Sequence, residues 1–143
     1  MTRVLLACMA LWMAASVHAQ PYPNRAVRIV VPFPPGGTSD ILARTIGARL
    51  SDSLGQPVVI DNRPGAGGNI AAEHVAKSTP DGYTLIMGTS SLAISQSLYR
   101  KLNYDLTRDL APITQAVNYA NLLVVNPSTG LNSVYDLLAA ARA

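Results

Sequence analysis

Apolar residues alternate between two textures along this chain. The first is a short unbroken run, as in Val27-Arg28-Ile29-Val30-Val31, Val58-Val59-Ile60 and Tyr83-Thr84-Leu85-Ile86-Met87. Such runs suit strands covered on both faces, as in a parallel sheet. The second is a four-residue spacing, Leu42, Ile46, Leu50 and Leu54, which lays one apolar stripe along a helix. The pattern predicts strand one over Arg25 to Phe33. A helix capped by Thr38 or Ser39 follows and stops at Gly55. Strand two covers Val58 to Asn62, a short Ala-rich helix Asn69 to Lys77, and strand three Tyr83 to Gly88. Thr89 to Leu98 passes from loop into another short helix. The order β-α-β-α-β-α implies an α/β fold with a parallel sheet and right-handed crossovers.

From Tyr99 the texture changes. Asn103 to Leu110 is polar and turn-like. Two β-rich pieces follow, Pro112 to Val117 and Asn121 to Val125. Asn126 to Gly130 reads as a turn and Ser133 to Arg142 as a helix.

Composition alters this picture mainly at the start. Of 143 residues 49% are hydrophobic and 13% charged, and part of that imbalance is N-terminal. Met1-Thr2-Arg3 is a short basic start, Val4 to Val17 is apolar apart from Ser16, and Val17-His18-Ala19 is a small-x-small cleavage site. These are the three regions of a secretory signal peptide, with cleavage expected after Ala19. The apolar run is short for a transmembrane helix. Removing residues 1–19 takes away Arg3, Cys8, Trp12 and His18; basic residues fall from 11 to 10 against 8 acidic ones, so the net charge drops from +3 to +2. The mature chain then holds no cysteine, hence no disulfide and no thiol chemistry. It has no Lys/Arg cluster interleaved with aromatics, so nucleic acid is not an expected partner.

The candidate chemistry sits where strands give way to helices. Pro32-Phe33-Pro34-Pro35-Gly36-Gly37-Thr38-Ser39-Asp40 follows strand one, and Arg63-Pro64-Gly65-Ala66-Gly67-Gly68-Asn69 follows strand two. A Gly-rich turn into a helix N-terminus offers free backbone N–H groups to an anion. Taken alone, the first loop reads equally well as a turn shaped by Pro and Gly. Ser39 and Asp40 read equally as first-turn capping residues, and Asn69 as a helix cap. Thr89 and Ser90 end strand three on the same sheet edge, where ligands of open α/β sheets bind; their alternative is to cap the next helix.

Other chemistries are disfavoured. Gly65-Ala66-Gly67 begins a dinucleotide fingerprint, but Ile70 stands where a small residue is required. Neither loop ends in Gly-Lys-Ser/Thr. His74 is the sole histidine of the mature chain, Ser90 lacks the surroundings of a nucleophile elbow, and no cluster has metal-ligand spacing. The expectation is a binding protein without catalytic residues, metal or cofactor.

Together these motifs resemble a known family. The carriers are the signal region, Tyr22-Pro23-Asn24-Arg25, the Ile29 to Asp40 stretch, Asn62 to Ile70, Thr79-Pro80-Asp81-Gly82-Tyr83-Thr84-Leu85, Tyr104-Asp105 and Asp109-Leu110-Ala111-Pro112-Ile113. In this order they resemble the Bug family of extracytoplasmic solute receptors, the TctC-like binding component of tripartite tricarboxylate transporters. The resemblance runs from the signal onward. It implies a two-lobed periplasmic-binding-protein-like fold, parallel-rich with flanking helices, closing on a small organic carboxylate. It further implies that Phe33, Pro35, Gly36, Gly37, Thr38, Ser39 and Asp40 contact the ligand, with Ala66, Gly67, Gly68 and Asn69, and also Thr89 and Ser90. Asp40 would repel a carboxylate, so an amine or water in the pocket is its alternative partner. The implied partners are membrane permease subunits, the implied location is the periplasm, and the full-length receptor is expected to be a monomer.

Two departures accompany the resemblance. Ala71 replaces a frequent glycine. Family members run to about twice this length, as two lobes require. The expected organisation is therefore a signal peptide over 1–19, a first lobe over 20–120, and a crossover strand with the start of a second lobe over 121–143. Two further readings remain open at this point: a truncated relic of such a receptor with little binding, and an exported α/β enzyme.

Overall fold

The computed structural model describes residues 21–118, 120 and 122–142. The signal region lies outside them, as does Asn121. Three parallel strands form one sheet: β1 (Val27–Val31), β2 (Val58–Asn62) and β3 (Thr84–Ile86), in the order β2-β1-β3. Val27 to Val31 pair in register with Val58 to Asn62, and Arg28 to Val30 with Thr84 to Ile86. Central β1 is buried except at Arg28, as its unbroken apolar run requires. It is shorter than the sequence suggests because Pro32 has no N–H to extend the ladder.

Helix α1 (Thr38–Leu54) follows β1, α2 (Asn69–Ala76) follows β2, and α3 (Ser90–Leu98) follows β3. The predicted stripe on α1 is rotated by one residue. Leu42, Ile46, Leu50 and Leu54 are half-buried, whereas Ala43 and Gly47 are fully covered. The small residues let the helix approach the sheet. A Cβ on Gly47 would lie 3.2 Å from Ile60 Cδ1 and 3.3 Å from Val58 Cγ1. Gly55 ends α1 in the left-handed conformation, φ 64°, as a helix stop does.

Two apolar clusters flank the sheet. One joins Ile29, Val31 and Ala43 with Leu50, Val58, Ile60, Leu85 and Met87. The other joins Ala72, Leu92 and Tyr104 with Ile86, Leu102, Leu106 and Leu110.

The described residues up to Ala111 form one compact unit, and those from Pro112 onward a second. The second contains a short 3-10 turn (Pro127–Thr129) and α4 (Val134–Arg142). Asn126 Oδ1 accepts from Ser128 N at 3.0 Å, and Gly130 closes the turn at φ 67°, matching the predicted turn. The two expected β-pieces differ from prediction. Neither 112–117 nor the described part of the second, 122–125, is a strand. An apolar run becomes a strand only when a neighbour completes its ladder. Leu122, Leu123 and Val124 are instead exposed by 85%, 68% and 80%.

Candidate functional site

All three strand-to-helix loops leave the C-terminal edge of the sheet, because the strands are parallel and each feeds a helix. Their mutual placement is fixed by hydrogen bonds and packing. Arg63 N donates to Val31 O at 2.8 Å, and Met87 N to Val30 O at 2.9 Å, locking both neighbours to the end of β1. Asn62, the last residue of β2, donates through Nδ2 to Phe33 O at 3.0 Å and to Asp40 Oδ1 at 2.9 Å. Ser91 Oγ on α3 donates to Gly67 O at 2.9 Å. Gly68 sits between the other two loops: a Cβ there would be 3.0 Å from Pro32 Cβ and 3.2 Å from Leu92 Cδ2.

In the first loop, Phe33 to Ser39 line an open concavity. Pro35, Gly36, Gly37 and Thr38 are exposed, while Phe33 and Ser39 are half-buried. The expected Thr38 or Ser39 cap does not form. Gly37 occupies the N-cap with extended backbone (φ −78°, ψ 168°), and no side chain caps this end. The first N–H groups of a helix have no intrahelical acceptor, so they face outward with the positive end of the dipole.

Asp40 is the acidic residue of the first turn of α1, as the sequence suggests. It is 3% exposed and already partnered. Its Oδ2 accepts from Gly36 N at 2.9 Å and from Arg44 Nε at 2.9 Å, while Oδ1 accepts from Asn62. The Arg44 bond, then the Gly36 N–H and Asn62, hold its carboxyl far below the ordinary carboxylate range. The same ion pair raises Arg44. Asp40 thus braces the loop and consumes the Gly36 N–H, leaving the N–H groups from Gly37 onward for a ligand.

The second loop runs through positive φ at Gly65 (132°), Ala66 (48°), Gly67 (67°) and Gly68 (100°). Gly65 has no room for a side chain, since Ile70 Cδ1 lies 2.5 Å from its would-be Cβ. Ala66 is the one non-glycine among the described residues with positive φ, a strained conformation on the rim of the site. Ala66 and Gly67 are exposed, and Gly68 and Asn69 buried. Asn69 is not the cap either. Gly68 takes the N-cap position and Asn69 the first helical one. Its Oδ1 accepts from Tyr104 OH at 2.8 Å.

At the third loop, Thr89 is the N-cap of α3 by position, but its hydroxyl pairs with Ser91 Oγ at 2.7 Å instead of capping. Ser90 is exposed beside it. The structure therefore gathers all three predicted segments on one edge. Sequence reading missed Asn62, Arg44, Ser91 and Tyr104. Arg44 was findable as the i,i+4 partner of Asp40. The others act through tertiary contacts that leave no local signature.

A second open groove lies at the opposite edge, lined by Arg25, Arg28, His74 and Lys77 among others. Its cations are engaged: Arg25 with Asp81 at 2.6 Å, Arg28 with Asp61 at 3.2 Å, and Lys77 with Glu73 at 2.5 Å. Arg25 also stacks on Tyr83, 4.2 Å from the ring centroid. Among the described residues no group of three His, Cys, Asp or Glu side chains is placed to hold a metal, and no helix is long and apolar enough to cross a membrane.

This architecture recurs in known proteins. Protein BugT of Bordetella pertussis is 46% identical over 132 residues, covering 91% of this chain and 40% of that protein. The UPF0065 protein from the tcbD-tcbE intergenic region of a Pseudomonas species is 40% identical, covering 98% and 43%. Among solved structures, an R. palustris protein with adipate superposes with a TM-score of 0.77 at 49% identity, over 85% of this chain and 41% of that one. MatC from Rhodopseudomonas palustris with bound malate gives 0.56 at 44% identity, over 62% and 30%. The chain spans about 40% of the length of the curated relatives it matches. The α/β sheet is that of a periplasmic-binding-protein-like fold, and the relatives are receptors, not enzymes. Residues 42–143 match the family described as "Tripartite tricarboxylate transporter family receptor", and the chain belongs to that family.

Proposed function

We propose that this chain serves as an extracytoplasmic receptor that binds a small organic carboxylate and delivers it to membrane permease subunits. It is exported to the periplasm, with the signal removed after Ala19, and the full-length receptor acts as a monomer. The carboxylate contacts Phe33, Pro35, Gly36, Gly37, Thr38 and Ser39, with Ala66, Gly67, Gly68 and Asn69, and with Thr89 and Ser90. Asp40 contributes as the brace of the first loop.

The observation that carries this reading is the uncapped N-terminus of α1. It opens into a concavity of Pro and Gly residues that the other two loops buttress. A carboxylate there gains charge-assisted N–H bonds and the helix dipole, the latter about 0.3–1 kcal/mol at an exposed end. The adipate and malate carried by two of the superposing structures are of the same chemical class.

The test is a thermal-shift and calorimetry panel of adipate, malate, tricarboxylates, amino acids and aromatic acids on the full receptor chain that carries this sequence. Saturable binding of an acid, lost in Gly37→Val, is expected. That variant is a clean probe. A Cβ at Gly37 meets only Pro34 O at 3.6 Å and its φ is ordinary, so bulk enters the site without straining the fold. Failure of every acid to bind, or full affinity in Gly37→Val, refutes the reading.

A further inference from the structure

The concavity before α1 is walled by Phe33 to Ser39, and none of these side chains carries a charge. A full charge nevertheless stands directly behind the wall. Gly36, a lining residue, gives its N–H to Asp40 Oδ2 at 2.9 Å. Asp40 is buried, so bulk water screens its carboxylate weakly. Arg44 foremost, then the Gly36 N–H and Asn62, keep it ionised wherever an ordinary carboxylic acid is ionised. Such a charge, one hydrogen bond behind an anion site, opposes the anion. Like charges about 10 Å apart at an effective dielectric of about 20 shift an equilibrium roughly tenfold.

Arg44 brings the opposite charge to the same carboxylate. It lies one turn further along α1, with Nε 2.9 Å from Asp40 Oδ2. Its Nη2 also reaches Asn62 Oδ1 at 3.4 Å, while Asn62 Nδ2 donates to Asp40 Oδ1 at 2.9 Å. The pair is lopsided: the Asp40 side chain is 4% exposed and that of Arg44 55%. The acid is held inside by the loop it braces, and the cation covers it from outside. Arg44 can therefore be exchanged without opening the core.

We infer that Arg44 sets the charge of the site: by pairing with Asp40 it cancels the repulsion that this carboxylate would otherwise exert on a bound organic anion. The N–H groups from Gly37 onward then face the anion against a neutral background. Arg44 acts through Asp40 and needs no contact with the anion, so it is a positioning residue. The inference rests on the carboxylate-receptor reading above, and it answers the repulsion that the sequence alone assigns to Asp40.

The test uses the full receptor chain that carries this sequence, with adipate and malate as probes. It compares wild type, Arg44→Gln, Arg44→Lys and the double variant Asp40→Asn with Arg44→Gln. Affinity by calorimetry is expected to fall roughly tenfold in Arg44→Gln, which leaves the carboxylate uncompensated. Arg44→Lys restores an i,i+4 partner charge and should recover most of the loss. The double variant removes both charges and should also recover most of it, even though its urea midpoint falls further. A purely structural Arg44 predicts the reverse, since a second lesion in the brace cannot improve binding. Unchanged affinity in Arg44→Gln, or a double variant or Arg44→Lys as weak as Arg44→Gln, overturns the inference. If Arg44→Gln does not fold, the other two variants decide: a loss of roughly tenfold or more in either overturns it. Wild type that binds neither acid overturns this inference together with the reading beneath it. Wild-type binding with any of the contrary variant results overturns this inference alone.

Discussion

Gly68 provides a sharp test of how the three loops are held together. Replacing it by alanine adds one methyl group at a backbone angle of φ 100°, which L-residues avoid. That alone costs about 1–2 kcal/mol. The new Cβ would also stand 3.0 Å from Pro32 Cβ and 3.2 Å from Leu92 Cδ2. Pro32 is fully buried and its ring is tied to the backbone, so it has little freedom to retreat. Overpacking of this kind costs a further ~1–3 kcal/mol. Gly67→Ala is the internal control. Its φ is 67°, but nothing lies within 4 Å of its would-be Cβ, so only the backbone cost applies. Expected losses in urea unfolding are therefore roughly 2–5 kcal/mol for Gly68→Ala and about 1–2 kcal/mol for Gly67→Ala. At about 4–8 °C per kcal/mol for a unit of this size, the melting points should separate by several degrees. Equal losses for the two variants would refute the claim that Gly68 is a packing joint between the loops.

Asp40→Asn should flatten the acid limb of stability. Because the folded pKa of Asp40 is depressed, its contribution is present above the unfolded carboxylate value and is lost as pH falls from about 4 downward. Urea midpoints between neutral pH and pH 2.5 check this, and an undiminished acid slope in the variant counts against the brace. Gly47→Val should destabilise by about 1–3 kcal/mol, since its Cβ already meets Ile60 and Val58 at 3.2 and 3.3 Å; an unchanged denaturation midpoint contradicts the close approach of α1. Ala66→Gly should relieve left-handed strain at φ 48° and leave stability unchanged or raised by up to about 1 kcal/mol, whereas a clear loss would show that the methyl packs favourably.

The strands of the first unit were legible because their apolar runs are buried on both faces, and the helices because Pro, Gly and polar residues punctuate them. The second unit was less so. Leu122 to Val125 has strand composition, but composition supplies no partner, and no described ladder takes it up. The caps were misread for a related reason. Thr38, Ser39, Asn69 and Thr89 all have suitable side chains, yet each N-cap position is held by glycine or by a threonine that makes no capping bond. Two of these side chains are drawn into other bonds: Thr89 to Ser91 nearby, and Asn69 to Tyr104, 35 residues away. Local spacing carries no information about such partners.

By itself, the sequence determined the α/β order of the first unit, the parallel sheet and the edge on which the Gly-rich loops fall. Period and punctuation set these, because burial on a sheet face or helix stripe is a local demand on residue type. Only the tertiary structure decided what each loop residue does. It tied Asp40 to Gly36, Arg44 and Asn62, placed Asn62 as the tie between two loops, and left Asn69 Nδ2 as a buried donor. Those roles depend on which groups meet across tens of residues, and hydrogen-bond satisfaction is settled only when the chain is folded.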